Sequence, residues 1–360
     1  MGKSLEQFRK RVIRSSLFPA ADIGSAIERL GFLQADPIRC PARAQDLILR
    51  QRVRHYKAGD LERHYADLEI EECFLFAYGF APKGIWNVIY PKSHAALSAS
   101  EKKVLHTMKQ SGPVDSRGLE KQTGRKRVTN YWGGSSRQAK MCLESLHDSG
   151  LVRVAHREKG IRFYETAETP RSDTSEEDRF KEVLLVALRS IGPTTQKFLL
   201  SEIAHFRYLV DDAKDRRAKL QELIDAGKIR ADSIGSVEYL SACDLTLSRT
   251  PLDRVRILAP FDPIVRDRAR FEHLWGWEYR FEAYVPSQKR KLGYYAMPVL
   301  WRDDIIGWAN ANISQGKLFV EFGYTDQRPS GPIFKEAAEH EAAAMAKFLG
   351  LDGSAVRTKL

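Results

Sequence analysis

Cysteine is scarce in this chain. There are four in 360 residues, Cys40, Cys73, Cys142 and Cys243, and no two form a C-x-x-C pair. That excludes the common zinc spacings and a disulfide framework, and the four read as small buried hydrophobes in a reducing compartment. The nine histidines are scattered, with no H-E-x-x-H or similar ligand spacing, so no metal is expected. No apolar run approaches the roughly 20 residues needed to span a bilayer. The opening MGKSLEQFRKRVIRSSLFPA is basic but lacks the apolar stretch of a secretory signal, and Glu6 and Asp22 argue against a transit peptide. The expectation is a cytoplasmic protein with no membrane attachment, long enough for about two to four domains.

Net charge is the informative bulk property. Lys and Arg number 58 against 47 Asp and Glu, giving +11 at pH 7. Such a balance is attracted to polyanions, most commonly nucleic acid. The basic residues gather at 121–127 (KQTGRKR), 137–140 and 289–291 (KRK), the acidic ones at 69–72 and 173–178. This segregation suggests one basic face.

The middle of the chain repeats itself. From about residue 98 the order is an amphipathic helix (SASEKKVLHTMKQ), Gly112-Pro113, a short helix near 116–122, and a longer one in SSRQAKMCLESLHDSG. Two strand-like runs follow, LVRVAHR and IRFYETA. From about residue 176 the order recurs: EEDRFKEVLLVALRS, Gly192-Pro193, TTQKFLLSEIAHF, DDAKDRRAKLQELIDAG, then KIRADSI and VEYLSAC. Gly150 and Gly227 end the third helix of each copy, at a position that calls for positive φ. Three helices and a hairpin are the winged-helix plan, although a generic helical repeat has the same periodicity. The predicted fold class is α+β. An N-terminal winged-helix-like domain spans 1–96, two winged-helix domains span 97–170 and 175–250, and a C-terminal antiparallel β-domain with a closing helix spans 251–360. In that last part VRILAPFDPIV, YRFEAYVP, LGYYAMPVLWR, IIGWANANI and KLFVEFGY read as strands, and FKEAAEHEAAAMAKFLG as the closing helix.

FLQADPIR, residues 32–39, raises a question. As a strand ended by proline it directs Gln34 and Asp36 to one face, opposite Leu33 and Ala35. Burying an amide or a carboxylate without a partner costs free energy. Either both lie at the surface, or they line a polar cleft. Asp36 could also cap a helix after Pro37, or pair with Arg39 or Arg43.

Four stretches together resemble the AlkZ-like (YcaQ-type) winged-helix DNA glycosylases: LQADPIRCPARAQDLILRQR, the GPV…LESLHDSGLVRV unit, LAPFDPIVRDRARFEHLWGWEYRFEAYVP and KRKLGYYAMPVLWRDDIIG. The resemblance covers residues 27–324. It implies tandem winged helices with a β-domain, and removal of bulky N7-alkylated purines, including those in interstrand crosslinks. It also implies an active-site signature Gln-Φ-Asp, which Gln34-Ala35-Asp36 matches. Where that family carries an aromatic-Trp-x-His-Glu run, this chain has Cys73-Phe74-Leu75-Phe76-Ala77, which implies an altered lesion preference or a lost activity.

On that reading the enzyme is monofunctional. Asp36 would activate water and stabilise an oxocarbenium-like sugar, as carboxylates do in glycoside hydrolysis, and Gln34 would orient. No cofactor or nucleotide is expected. The partner would be double-stranded DNA carrying alkylated bases, bound by a monomer with a shallow, open site. Candidate DNA contacts are Arg43, Arg125, Lys126 and Arg127, and the basic tip Gln288, Lys289, Arg290 and Lys291, placed between two strands. Tyr131-Trp132 could stack on DNA or anchor a core. Asp262 is expected to order a turn and to bond Arg266 or Arg268. The competing reading is a non-catalytic winged-helix DNA-binding protein or transcriptional regulator, since fold does not imply chemistry.

Overall fold

The computed structural model describes residues 4–90, 92, 96–129, 135–168, 174–249 and 253–360; Tyr131 and Trp132 lie outside them. The N-terminal part opens with helix Leu5–Ser16, whose Ser4 forms a reciprocal capping box with Gln7. Its buried side chains Phe8, Val12 and Ile13 share a core with Leu258, Ile264, Phe271 and Leu300. The first helix therefore docks on the C-terminal part. Helix Ile23–Leu30 ends at Gly31 (φ 69°), and strand Leu33–Gln34 follows. That strand is one edge of a three-stranded antiparallel sheet with Tyr78–Pro82 in the centre and Ile70–Phe74 beyond. Gln34 pairs with Gly79. A Cβ at Gly79 would stand 2.3 Å from the Leu33 carbonyl oxygen, so glycine is what lets this edge strand close up.

The internal repeat is present. Helices Ala99–Ser111, Ser116–Thr123 and Gln138–Asp148 precede hairpin Val152–Glu158/Ile161–Thr166. Helices Glu176–Ile191, Gln196–Glu202 and Ala213–Asp225 precede hairpin Ile229–Ile234/Val237–Ala242. In both copies the residue after Gly-Pro bridges the second hairpin strand, Val114 to Tyr164 and Thr194 to Leu240. Gly150 and Gly227 take φ of 73° and 67°, as their helix-terminal positions require. The first copy carries an addition, a second small hairpin Arg127–Thr129/Ser135–Arg137 ahead of its third helix.

The C-terminal part departs from the sequence reading in three places. VRILAPFDPIV yields a strand only at Val255–Ile257, and Asp262 then caps a one-turn helix Pro263–Arg266 through the Ile264 N–H (3.1 Å). YRFEAYVP is not a strand. Glu282 turns inward and its carboxylate accepts the backbone N–H groups of Lys291, Leu292 and Gly293, closing the segment into a loop. Lastly, helix Pro332–Phe348 does not close the fold. Strand Val356–Lys359 follows it and joins the sheet parallel to Lys317–Tyr324, so the five-stranded sheet (255–257, 297–301, 304–314, 317–324, 356–359) is not wholly antiparallel.

Candidate active site

The ladder of strand Leu33–Gln34 ends where Ala35 N–H reaches the Tyr78 carbonyl (2.9 Å). Pro37 has no N–H to continue it, and the Asp36 carboxylate accepts the Ile38 N–H (2.8 Å) in a local turn. Gln45 accepts the Asp36 N–H (3.1 Å). No helix follows Pro37 directly, since the next one is Ala44–Leu49. Among the described residues Asp36 has no ion-pair partner. It is only 7 % exposed, and burial raises its pKa above the ordinary aspartate value while the Ile38 N–H opposes.

Gln34 and Asp36 meet the same C-terminal wall. The Gln34 carbonyl oxygen accepts a hydrogen bond from Arg266. The Arg266 guanidinium is held by Glu202 (Nε to Oε2, 2.9 Å) and lies 4.2 Å above the Phe76 ring centroid. Phe32, Phe76, Phe261 and Pro263 complete a crevice around Gln34 with room for about one water molecule. An aromatic row runs from this crevice toward Asp36. Phe261 meets Phe281 at 5.2 Å, and Phe281 meets Tyr295 edge-on at 5.2 Å. Tyr295 is 1 % exposed, and its hydroxyl has no hydrogen-bond partner among the described residues. Burial, then the charge of Asp36, push its phenol pKa up. The crevice is at Gln34 and does not include Asp36 in its lining, and it is too small to admit a purine.

The other predicted residues are distributed. Arg43 forms an ion pair with Glu62 and joins a junction network rather than Asp36. There Glu72, fully buried, takes two bonds from Arg157 (2.5 and 2.6 Å) and one from the Tyr78 hydroxyl (2.5 Å), while Arg157 also reaches Glu62 (3.3 Å). Arg125, Lys126 and Arg127 are exposed and, with Arg137 and Glu120, line a groove of about 340 Å³ at the added hairpin. Gln288 and Lys289 are exposed on a 3₁₀ turn Ser287–Lys289 and Lys291 is exposed just after it, not on a hairpin tip, because Glu282 gathers the backbone there. Arg290 is half-buried, donating to the Val285 carbonyl (2.7 Å) and lying 5.0 Å from the Tyr294 ring centroid. The Asp262 carboxylate bonds neither the Arg266 nor the Arg268 side chain; only its backbone carbonyl accepts the Arg266 N–H (2.9 Å). The carboxylate forms a fully buried pair with Arg52 (2.9 and 3.3 Å), and Arg268 is spent on the Pro260 carbonyl (2.8 Å) and the Tyr279 ring. Sequence reasoning thus missed Arg266, Glu202 and Tyr295 as parts of the site. The only signal for them was Arg266 and Tyr295 falling inside two of the family-like stretches. Among the described residues no three His, Cys, Asp or Glu side chains converge as a metal site, and no helix is long and apolar enough to cross a membrane.

Comparison with known proteins agrees with this architecture. The solved structure of the Streptomyces sahachiroi DNA glycosylase AlkZ superposes with a TM-score of 0.65 at 15 % identity, covering 99 % of this chain and 100 % of that one. The family model for DNA glycosylase AlkZ-like proteins matches residues 27–348, a span holding Gln34, Asp36, Phe76, Glu202, Arg266 and Tyr295. The chain belongs to the AlkZ-like DNA glycosylase family, and it is a DNA N-glycosylase, a hydrolase of the bond between base and deoxyribose.

Proposed function

We propose that this enzyme excises N7-alkylated purines, including bulky or crosslinked ones, from double-stranded DNA, with Asp36 as the reacting carboxylate and Gln34 as the group that orients water or sugar. The observation that carries the reading is Asp36 itself. Among the described residues it is a buried carboxylate with one backbone donor and no cation, and its charge acts on the buried Tyr295 hydroxyl, which has no hydrogen-bond partner among them. Polar groups left in this state are costly, and their concentration at one point fits a task.

The chemistry follows from charge. A purine alkylated at N7 is already cationic. When the glycosidic bond breaks, its electron pair goes to the base, which leaves neutral, and positive charge moves to the deoxyribose. A carboxylate at that sugar stabilises the charge and accepts a proton as water adds to C1′. Gln34, fixed by Arg266 and Glu202, offers an amide N–H₂ that can donate to the water or to a sugar oxygen. The crevice beside Gln34 holds about one water and no base, so the lesion would stay outside it, with the sugar edge turned to Asp36. Such a site tolerates bulky and crosslinked bases that resist extrusion into a closed pocket.

Two observations support winged-helix units as the DNA-holding frame: the helix–hairpin order found twice, and the equivalent bridges Val114–Tyr164 and Thr194–Leu240. Arg125, Lys126 and Arg127 would reach phosphates from the first unit, and Lys289 and Lys291 from the C-terminal loop. The enzyme would act as a monomer in the cytoplasm.

The test is single-turnover excision on duplexes carrying N7-methyl, bulky N7-alkyl or crosslinked guanine. The wild-type protein should release the modified purine and leave an abasic site. Asp36→Asn should lose about 10²–10⁴ in rate while still binding DNA. Undiminished excision by Asp36→Asn would overturn the assignment. Phe76 stands where the family carries histidine, so the ranking of the three lesions also reads out what that departure does.

A further inference from the structure

The segment 279–296 is a loop held from inside. The Glu282 carboxylate binds three consecutive backbone N–H groups across it. The Tyr279 hydroxyl donates to the Ala296 carbonyl (2.7 Å), and Asn310 donates to the Leu292 carbonyl (2.8 Å). What this fixed loop displays is a tyrosine with no internal use. Tyr284 is 77 % exposed, yet its ring rests edge-on against Phe281 at 6.1 Å, and Phe281 in turn meets Tyr295, whose phenol feels the charge of Asp36. A lone exposed aromatic is unremarkable. This one ends an aromatic row leading from the candidate reacting carboxylate, on the same loop as the exposed cations Lys289 and Lys291.

We propose that Tyr284 is a stacking platform for a nucleobase of the bound DNA, next to the reacting nucleotide, with Lys289 and Lys291 on the adjoining phosphates. The inference rests on the reading of Asp36 given above. Every base has a π-face, so an aromatic ring recognises DNA without reading its sequence. That suits an enzyme that must meet lesions in any context. Phe281 and the Glu282 anchor fix the platform before DNA arrives, which reduces the ordering cost of binding. Tyr294, 43 % exposed, has Arg290 over its ring and is less available.

The full-length protein would be titrated with a duplex bearing a tetrahydrofuran abasic analogue flanked by 2-aminopurine. Affinity is read by anisotropy and stacking by 2-aminopurine fluorescence. Tyr284→Ala should bind about tenfold more weakly and lose the fluorescence change, whereas Tyr284→Phe, which keeps the ring, should stay within about twofold of wild type. Wild-type affinity and fluorescence in Tyr284→Ala would overturn the proposal. So would a Tyr284→Phe protein as defective as the alanine variant, since the hydroxyl and not the ring would then be at work. Lys289→Ala should reduce the slope of log affinity against log salt by about one phosphate contact. Neither readout needs turnover, so a failure of Tyr284 is distinguishable from a failure of Asp36 in the excision assay.

Discussion

Arg266 donates to the side-chain oxygen of Gln34 across 232 positions of sequence, and this joins the C-terminal part to the strand that carries Asp36. Glu202 and the Phe76 ring fix the guanidinium from the other sides. Gln34 therefore has its side-chain oxygen committed and its amide held in one orientation, set by residues from three separate stretches of the chain.

Arg266 is a positioning residue on this geometry. Arg266→Ala should lower single-turnover excision by about 10- to 100-fold, the usual consequence of a misplaced group near the chemistry. Duplex affinity should change by less than about threefold. Arg266→Lys should not rescue, because an ammonium cannot reproduce the planar fork that spans Glu202 and Gln34. Equal losses in affinity and rate would instead make Arg266 a DNA contact.

Burial raises the pKa of Asp36, and only its ionised form can accept a proton. The excision rate, corrected for uncatalysed depurination, should therefore rise with pH along a limb lying above about 4, the ordinary aspartate value. A rate independent of pH from about 4 to 8 would contradict the role assigned to this carboxylate.

The Arg52–Asp262 pair has no solvent exposure on either side chain, and Arg52 also donates to the Ser16 and Ile48 carbonyls (3.0 and 2.8 Å). Asp262→Ala leaves a buried guanidinium uncompensated and should cost about 3–5 kcal/mol. Replacing both partners together with Met and Leu should recover much of that. Denaturant midpoints of the single and double variants decide it; additive losses would show that the pair is not coupled.

Glu71 lies 2 % exposed at the junction between the N-terminal sheet and the first repeat, 2.8 Å from Arg153, with its second carboxylate oxygen unpartnered among the described residues. Burial outweighs Arg153 and carries its pKa to about 7. The folded protein thus holds this proton in a range where the unfolded chain has released it. That contribution to stability is complete below the unfolded value near 4.5 and falls as pH rises toward 7, by an amount on the order of 3 kcal/mol. Thermal midpoints at pH 5 and pH 8 should differ less in Glu71→Gln than in wild type. An unchanged difference would exclude Glu71 as the source.

Periodicity and punctuation made much of the fold legible. The two Gly-Pro steps, the terminal glycines and the recurrent helix–hairpin order are local features, and local sequence determines helix ends and tight turns through φ/ψ and capping. FLQADPIR likewise placed an amide and a carboxylate two residues apart, and the family-like stretches named the chemistry. What surrounds that pair was not legible. YRFEAYVP has the composition of a strand, yet an inward Glu282 makes it a loop. The Asp262 carboxylate is near in sequence to two arginine side chains it does not bond, and pairs with Arg52, 210 positions away. The Gln34–Arg266–Glu202 chain and the Tyr295–Asp36 neighbourhood arise only when distant segments pack. The reason is physical: backbone geometry is decided within a few residues, whereas a buried polar group is satisfied by whichever partner folding brings to it, and sequence distance does not reveal that partner.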